Sequence, residues 1–342
     1  MRGYTPIIRV EVGGQNASDA FYKRLIKATV RDEEGQTSDT FTADFDDRDN
    51  AIELPSKQTK ISVALGFRET GLVNRGLFEV QGYSIKGSEE GEFITLQAKG
   101  ANLKGAEKAG GRESFENTTI GDIAKQVAQR SGLQAVVDPE LAGVKVEYLA
   151  RIGQSDLDLL TRLADANDGI LKRAGGKVVI TKRGSGKSAG GQDVPPIVII
   201  KNVDLVKGWE ITSDPRPQYG KVQAGYIDQA TGKRMLEQIE TGLEGPEFPL
   251  RHLLRNKEEA KRAAQSEASR LTRNTGSGHF ELYGRPESSA GAEVFAYGFR
   301  SEVEGEWRCN AIEDVFQSGQ GGGYTTKVHI KAPEKGKKAK GK

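Results

Sequence analysis

The stretch Gly153-Gln154-Ser155-Asp156-Leu157-Asp158-Leu159-Leu160-Thr161-Arg162-Leu163-Ala164-Asp165-Ala166-Asn167-Asp168-Gly169 reads as a capped amphipathic helix. The Ser155 hydroxyl can accept from the backbone N–H three residues on, and Asp158 stands where a capping box wants an acidic partner. Leu157, Leu160 and Ala164 follow at i, i+3 and i+7, one face of a 3.6-residue period. Asn167-Asp168-Gly169 supplies a left-handed stop. Asp156 and Asp158 are better read as first-turn carboxylates, favoured at a helix N-terminus, than as an acid pair for catalysis.

Outward from this helix the chain turns to strands on both sides. Before it, residues 7–99 alternate apolar and polar side chains in six runs, among them Phe41, Ala43, Phe45 and Ile61, Val63, Leu65. Half-buried strands at that spacing predict a small antiparallel barrel or sandwich over 1–104. Residues 105–183 read as an α+β module. Thr119 and Asp122 form a second capping box, before a helix that runs to Arg130, with Gly132 just beyond it. Strands are expected at 134–137 and 144–148, and a hairpin at 169–182. A Gly/Ser/Pro linker covers 184–195. Residues 196–332 return to strands, interrupted by one helix over 256–274 with Asn256 as cap and Ala260, Ala263, Ala264, Ala268 and Leu271 as its stripe. Residues 333–342 read as a disordered Lys-rich tail.

The two β regions echo each other. Gly76-Leu77-Phe78-Glu79-Val80-Gln81 returns in outline as Gly305-Glu306-Trp307-Arg308-Cys309-Asn310. Each is followed by a Gly-rich turn and a strand that ends in lysine, Thr95 to Lys99 and Thr326 to Lys331. Such a pair suggests a duplicated barrel with the α+β module inserted between the copies, although any two hairpins share some of this pattern.

Composition bounds the function. At 342 residues there is room for two or three domains, and 43 glycines, about 13% against an average near 7%, fit many tight turns. Residues 331–342 hold six lysines and one glutamate, so the net charge of +2 leaves a body near −3, no platform for nucleic acid. The tail is a solubilising end or a weak contact with an acidic surface or nucleic acid. The single cysteine, Cys309, allows no intrachain disulfide and reads as a small core residue. The N-terminus lacks an apolar signal core, and the longest apolar run, 197–200, is far too short for a bilayer. A soluble protein made in the cytoplasm is expected.

Chemistry-bearing motifs fail their tests. Gly186-Lys187-Ser188 ends like a phosphate-binding loop, but Thr181 occupies the position of the first glycine and Pro195-Pro196 follow closely. Asp44 to Asn50 is acidic, yet calcium-loop spacing from Asp44 or Asp47 puts Arg48 or Ala51 where an oxygen ligand belongs, which leaves a turn with side-chain-to-backbone hydrogen bonds. His252, His279 and His329 stand at no metal-ligand spacing, and no nucleophile motif is present. Trp209, Trp307, Phe248, Tyr283 and Tyr297 lie at strand spacing and read as core. No catalytic, cofactor or metal residue is expected.

The run Gln154 to Ala164 resembles the signature helix of the phage late control D family, carried by Gln154, Ser155, Asp156, Leu157, Asp158, Leu160, Arg162 and Leu163. These are tail hub proteins of contractile injection machines, related to the N-terminal half of the type VI secretion spike protein. The Asp44–Asn50 loop resembles a turn in the family's first barrel. The resemblance implies a β-rich α+β fold: two tail-tube-like antiparallel β-barrels with an inserted small α+β module. It implies a homotrimer whose six barrels form a ring that matches a six-fold tail tube, and closed rings need heterologous interfaces between unlike patches. The partners it implies are further copies of the chain, the tail tube protein, a separate central spike protein and other baseplate or tape-measure proteins, in a virion tail assembled in the host cytoplasm. The type VI relative continues into a further barrel and spike, whereas this sequence stops in the lysine tail, so the spike is expected on another polypeptide. The competing reading is a cell-wall hydrolase of the same baseplate, since 48 acidic residues always allow some carboxylate pair.

Overall fold

The computed structural model describes residues 4–35, 39–89, 91–101, 110–174, 176–183, 186, 193–213, 218–319 and 322–333. The lysine tail and most of the expected linker lie outside the described residues. The first β region contains β1 (Pro6–Val12), β2 (Gln15–Asn16), α1 (Ser18–Arg24), β3 (Leu25–Glu33), β4 (Thr40–Asp46), β5 (Lys60–Phe67), β6 (Gly71–Ser88) and β7 (Gly91–Gly100). The insert contains β8 (Gly111–Thr119), α2 (Ile120–Arg130), β9 (Gln134–Val137), α3 (Pro139–Ala142), β10 (Lys145–Gln154), α4 (Asp156–Asp165), β11 (Gly169–Ala174) and β12 (Lys177–Lys182). The second region contains β13 (Ile197–Ile200), α5 (Lys201–Asp204), β14 (Leu205–Ser213), β15 (Lys221–Ile227), β16 (Arg234–Glu240), β17 (Glu247–Pro249), α6 (Lys257–Arg273), β18 (Gly276–Tyr283), β19 (Glu293–Tyr297), β20 (Gly305–Gln317) and β21 (Gly323–Lys331).

Period-two patterning does what it predicts. Phe41, Ala43 and Phe45 of β4 face one core with Ile61, Val63 and Leu65 of β5 and Phe78 of β6. A fully buried side chain such as Phe41 or Phe78 contributes about 2–3 kcal/mol. Separate apolar clusters fill the insert, the second β region, and the space between α6 and β15. On α6 only small residues, Ala260, Ala264 and Ala268, are buried along the stripe, so the helix lies close on Val222 and Ala224.

The two β regions have the same topology. In chain order β1, β3, β4, β5, β6 and β7 stack as β1-β5-β6-β7-β4-β3, and β13, β14, β18, β19, β20 and β21 stack as β13-β19-β20-β21-β18-β14. A short helix follows the first strand of each set, α1 and α5. The irregularities match too. A bulge interrupts β6–β7 between Val80 and Gly82, and β20–β21 between Cys309 and Ala311. Gly76 and Gly305, aligned by the sequence echo, have φ of 133° and 103°, where a side chain would be strained. One strand differs: β1 is antiparallel to β5, but β13 runs parallel to β19.

The fold class is the expected one, β-rich α+β with two related β units around an α+β insert, but the units are not separate. β3 pairs with β20 from Glu33–Ala311 to Lys27–Gln317, which joins both into a 13-stranded sheet. The β20–β21 hairpin therefore serves two cores: Phe316 and Tyr324 in the first, Cys309, Ile312, Val328 and Ile330 in the second. Nor, among the described residues, does the first ladder close on itself. α1 lies along the edge of β1 away from β5, where the Tyr22 hydroxyl accepts from Ile8 N–H (2.6 Å) and Ser18 Oγ accepts from Val10 N–H (3.1 Å). β15, β16 and β17 form a sheet of their own under α6 rather than joining the second unit. Tyr283 and Tyr297 are exposed, 37% and 48%, contrary to the core assignment, whereas Trp307 is buried and donates its Nε1–H to Val303 (2.6 Å).

At the seam the Arg75 guanidinium of β6 lies 2.6 Å from the Asp314 carboxylate of β20, both buried. Asp314 also accepts from Tyr324 Oη (2.8 Å) and Thr326 Oγ1 (2.7 Å), and Arg75 donates to the carbonyls of Pro286 (3.0 Å) and Ser288 (2.8 Å). Removing one partner leaves an uncompensated buried charge. Asp314→Ala is expected to cost about 3–5 kcal/mol of stability in chemical denaturation; a loss below about 1 kcal/mol would contradict this role for the pair. On the outer side of the seam, His329 and Arg31 hold the Glu313 carboxyl down to about 2, against an ordinary 4.5. A depressed folded pKa stabilises at higher pH. The stability difference between the native chain and Glu313→Gln is thus expected to be greatest near pH 5 and to shrink as pH falls toward 2. A difference independent of pH over that range overturns the assignment.

Candidate functional site

The signature helix forms as its residues predict and is α4. Ser155 is its N-cap, accepting from Asp158 N–H at 3.1 Å and donating its hydroxyl to Asp158 Oδ2 at 2.7 Å. Leu160, Leu163 and Ala164 are buried in the insert core, as is Leu159, which the three-residue stripe left out; Leu157 is half-buried at its margin. The left-handed residue that ends the turn is Asp168 (φ 52°), with Gly169 already opening β11. Arg162 reaches back to the Ala150 carbonyl (2.9 Å).

Asp156 does more than favour a helix N-terminus. It is buried and lies 2.5 Å from Arg151 and 3.7 Å from Arg130. Arg151 donates to Glu113 (3.0 Å) and to the Gln154 carbonyl (2.8 Å), and Arg130 grips Glu113 with two N–H donors. The Arg130 hydrogen bonds hold the Glu113 carboxyl below its ordinary value. The cluster ties β8, α2 and β10 to the first turn of α4. Sequence reading missed its other members because their partners come from distant elements.

The insert then fastens to the first β unit and to α6. Lys172 of β11 lies 2.7 Å from Asp32 and 3.4 Å from Asp39 at the β3–β4 turn. Burial alone pulls the Lys172 ammonium down, but these two carboxylates hold it above its usual value. On the other side Arg273 of α6 donates to Asp168 (3.0 Å), and Ser266 Oγ donates to the Asp165 carbonyl (2.9 Å). A cleft of about 380 Å³ remains at this joint, lined by Arg183, Arg270, Arg273 and Arg308 among others. Each of these guanidiniums faces a carboxylate, of Asp165, Glu267, Asp168 and Glu34 respectively. The cleft is a joint between modules in which each of these arginines is already paired.

The remaining motifs settle simply. The Asp44–Asn50 loop is a turn in which Asp47 accepts from Ile52 N–H (2.9 Å) and Asn50 is left-handed. Arg24 binds Asp49 and holds its carboxyl down to about 2. His279 and His329 sit side by side, ring centres 6.1 Å apart, and His252 is elsewhere and exposed. Among the described residues no group of three or more His, Cys, Asp or Glu is placed to hold a metal ion, and no helix is long and apolar enough to cross a membrane. Cys309 is fully buried, and burial pushes its thiol pKa well up.

What stays open is backbone. Among the described residues, no strand pairs with the outer edge of β14, nor with β6 beyond Val80 on the side away from β7. Tyr83 and Ile85 on that length of β6 are 46% and 56% exposed. Unpaired edges of this kind are templates for strand addition. For the helix itself, Ser155→Ala is expected to cost about 1 kcal/mol through loss of the cap, read from the shift in unfolding midpoint. No shift would mean that Asp156 and its arginines fix the helix start alone.

No family model matches the chain. It is 29% identical over 232 residues to the probable baseplate hub protein of Escherichia phage 186, covering 64% of this chain and 59% of that protein. It is 25% identical over 364 residues to the probable baseplate hub protein of Escherichia phage P2, covering 95% and 93%. Among solved structures, a 43 kDa tail protein of prophage MuSo2 from Shewanella oneidensis superposes with a TM-score of 0.70 at 16% identity, over 97% of this chain and 99% of that one. A component of the type VI secretion system of E. coli does so at 0.56 and 10% identity, over 98% and 78%. The chain is thus similar in sequence to phage baseplate hub proteins and carries the fold of phage tail proteins, as the resemblance in residues 154–164 implied.

Proposed function

We propose that the chain is a structural hub of a contractile-tail baseplate, one that joins a six-fold tail tube to a central spike through a ring of three copies. The observation that carries this is the internal duplication. Two β units of identical strand order lie edge to edge in one sheet. A chain that holds two such units presents six in a trimer, so a three-fold object can offer a six-fold face. The sequence likeness along nearly the whole chain to the probable baseplate hub protein of Escherichia phage P2 supports the same reading. The insert, bolted to the first unit by Lys172 and to α6 by Asp168, is suited to fix their relative placement rather than to catalyse. Neither an active carboxylate pair nor a cofactor is part of this proposal, and the place of action is the virion tail.

Light scattering of the full chain is expected to give three times the 37.1 kDa mass of one copy, with ring-shaped class averages. A chain that stays monomeric at every concentration, alone and with tube and spike proteins, would sink the proposal. No lysis is expected on peptidoglycan; activity abolished by changing one carboxylate would replace the hub by an enzyme.

A further inference from the structure

We propose that the outer face of β13 and β19, away from the second core, seats an amphipathic helix of a different tail protein, one with basic residues beside its apolar stripe. The inference rests on the hub reading, which supplies the other tail proteins.

The sequence of β13 calls for cover on two sides. Ile197-Val198-Ile199-Ile200 is apolar at every position, and β13 runs parallel to β19. Parallel strands with unbroken apolar runs are buried on both faces. Here only one face is. Ile197 and Ile199 lie in the second core with Val294 and Ala296, whereas Val198 and Ile200 are 39% and 45% exposed. The register sets Val198 beside half-buried Phe295 and Ile200 beside exposed Tyr297, so these side chains form one apolar square. Val203 of α5, which touches β13, extends it at 60% exposure.

The first unit has no such face. The outward positions of β1 after Ile7 are Arg9 and Glu11, which lie 3.7 Å from each other. Its edge is closed by α1, seven residues long, whereas α5 has four residues and buries only Asp204.

Charge and width select the occupant. Glu306 stands beside Phe295, and Glu293 lies two residues back along β19 on the same face. Both are exposed, and neither has an ion-pair partner among the described residues. The neighbouring cations are engaged: Arg285 pairs with Asp204, Arg308 with Glu34, and Lys201 lies over the Phe299 ring at 6.0 Å. An apolar square with an acidic flank is complementary to an apolar stripe with a basic one. Two strands span about 10 Å, the diameter of a helix. A strand added at the edge of β13 would pair its backbone but leave the square bare. A helix laid over the face buries it, as α6 does on Val222 and Ala224 of β15. The chain has no such helix to spare among the described residues, because the apolar stripes of α2, α4 and α6 are already buried in their own cores.

Photo-crosslinking from the full chain in assembled tails reads the contact. Ile200→p-benzoylphenylalanine is expected to crosslink to a helix of another tail protein that carries Lys or Arg beside its apolar positions, and Tyr297→p-benzoylphenylalanine to the same helix. Ile200→Glu is expected to leave the unfolding midpoint and the three-copy mass unchanged while lowering the yield of complete tails about tenfold. Glu306→Lys is expected to lower it less. Crosslinks to a second copy of the chain, to residues 333–342 or to an acidic segment overturn this surface and leave the hub reading standing. So do assembled tails with no crosslink, and so does an unchanged tail yield in Ile200→Glu. A chain absent from assembled tails overturns both.

Discussion

Arg75 and Asp314 meet where β6, β20 and β21 converge, with both side chains buried and the Tyr324 and Thr326 hydroxyls donating to the carboxylate. Such a pair tolerates little displacement, because either group alone would be a buried charge without a counter-ion. It fixes the first β unit against the second at the strand where the two sheets become one. Around it the seam adds Arg31 with Glu313 on the outer side and Arg308 with Glu34 at the end. The shared hairpin places Phe316 and Tyr324 in the opposite unit's core. The units are thus joined by backbone, by charge and by apolar contact, and the insert braces the same joint from Lys172 and Asp168.

Much of this was readable in the chain. Alternating side chains announced β4, β5 and β21, and capping boxes announced α2 and α4 to within a residue. The echo of Gly76 in Gly305 pointed to the duplication. What escaped did so for physical reasons. α1 has no side-chain cap and buries only Phe21; α5 is four residues long with no side-chain cap either. β8 is polar along its length, with Phe115 alone buried, and is a strand because β10 is there to pair with it. The seam itself was invisible for a related reason. Asp314 occupies an inward position between Ile312 and Phe316, and a carboxylate there makes sense only once Arg75, far away in the chain, is beside it. Of the signature helix, the cap and stripe were legible, whereas the arginines that hold Asp156 were not.

Duplication explains why the second unit can be larger without changing shape. The short turn between β3 and β4 corresponds to the whole excursion from β14 to β18, which carries β15, β16, β17 and α6. That excursion has its own apolar cluster, built on alanines that let α6 lie flat on its sheet. Growth at a loop leaves the strand order untouched, while giving the insert a second surface to hold.

The two strands of the internal seam also set an order of events in time. Arg31 and Glu313 are 282 residues apart, so β3 must wait for nearly the whole chain to be synthesised before its partner exists. Contacts of such separation form late, after closure of a very long loop. During that interval β3 is an unpaired edge in a nascent protein, open to the wrong neighbour. Its successive Arg31, Asp32 and Glu33, which later become ion-pair partners, serve first as charged guards on that edge. The same residues that lock the finished seam keep it unoccupied until its own strand arrives.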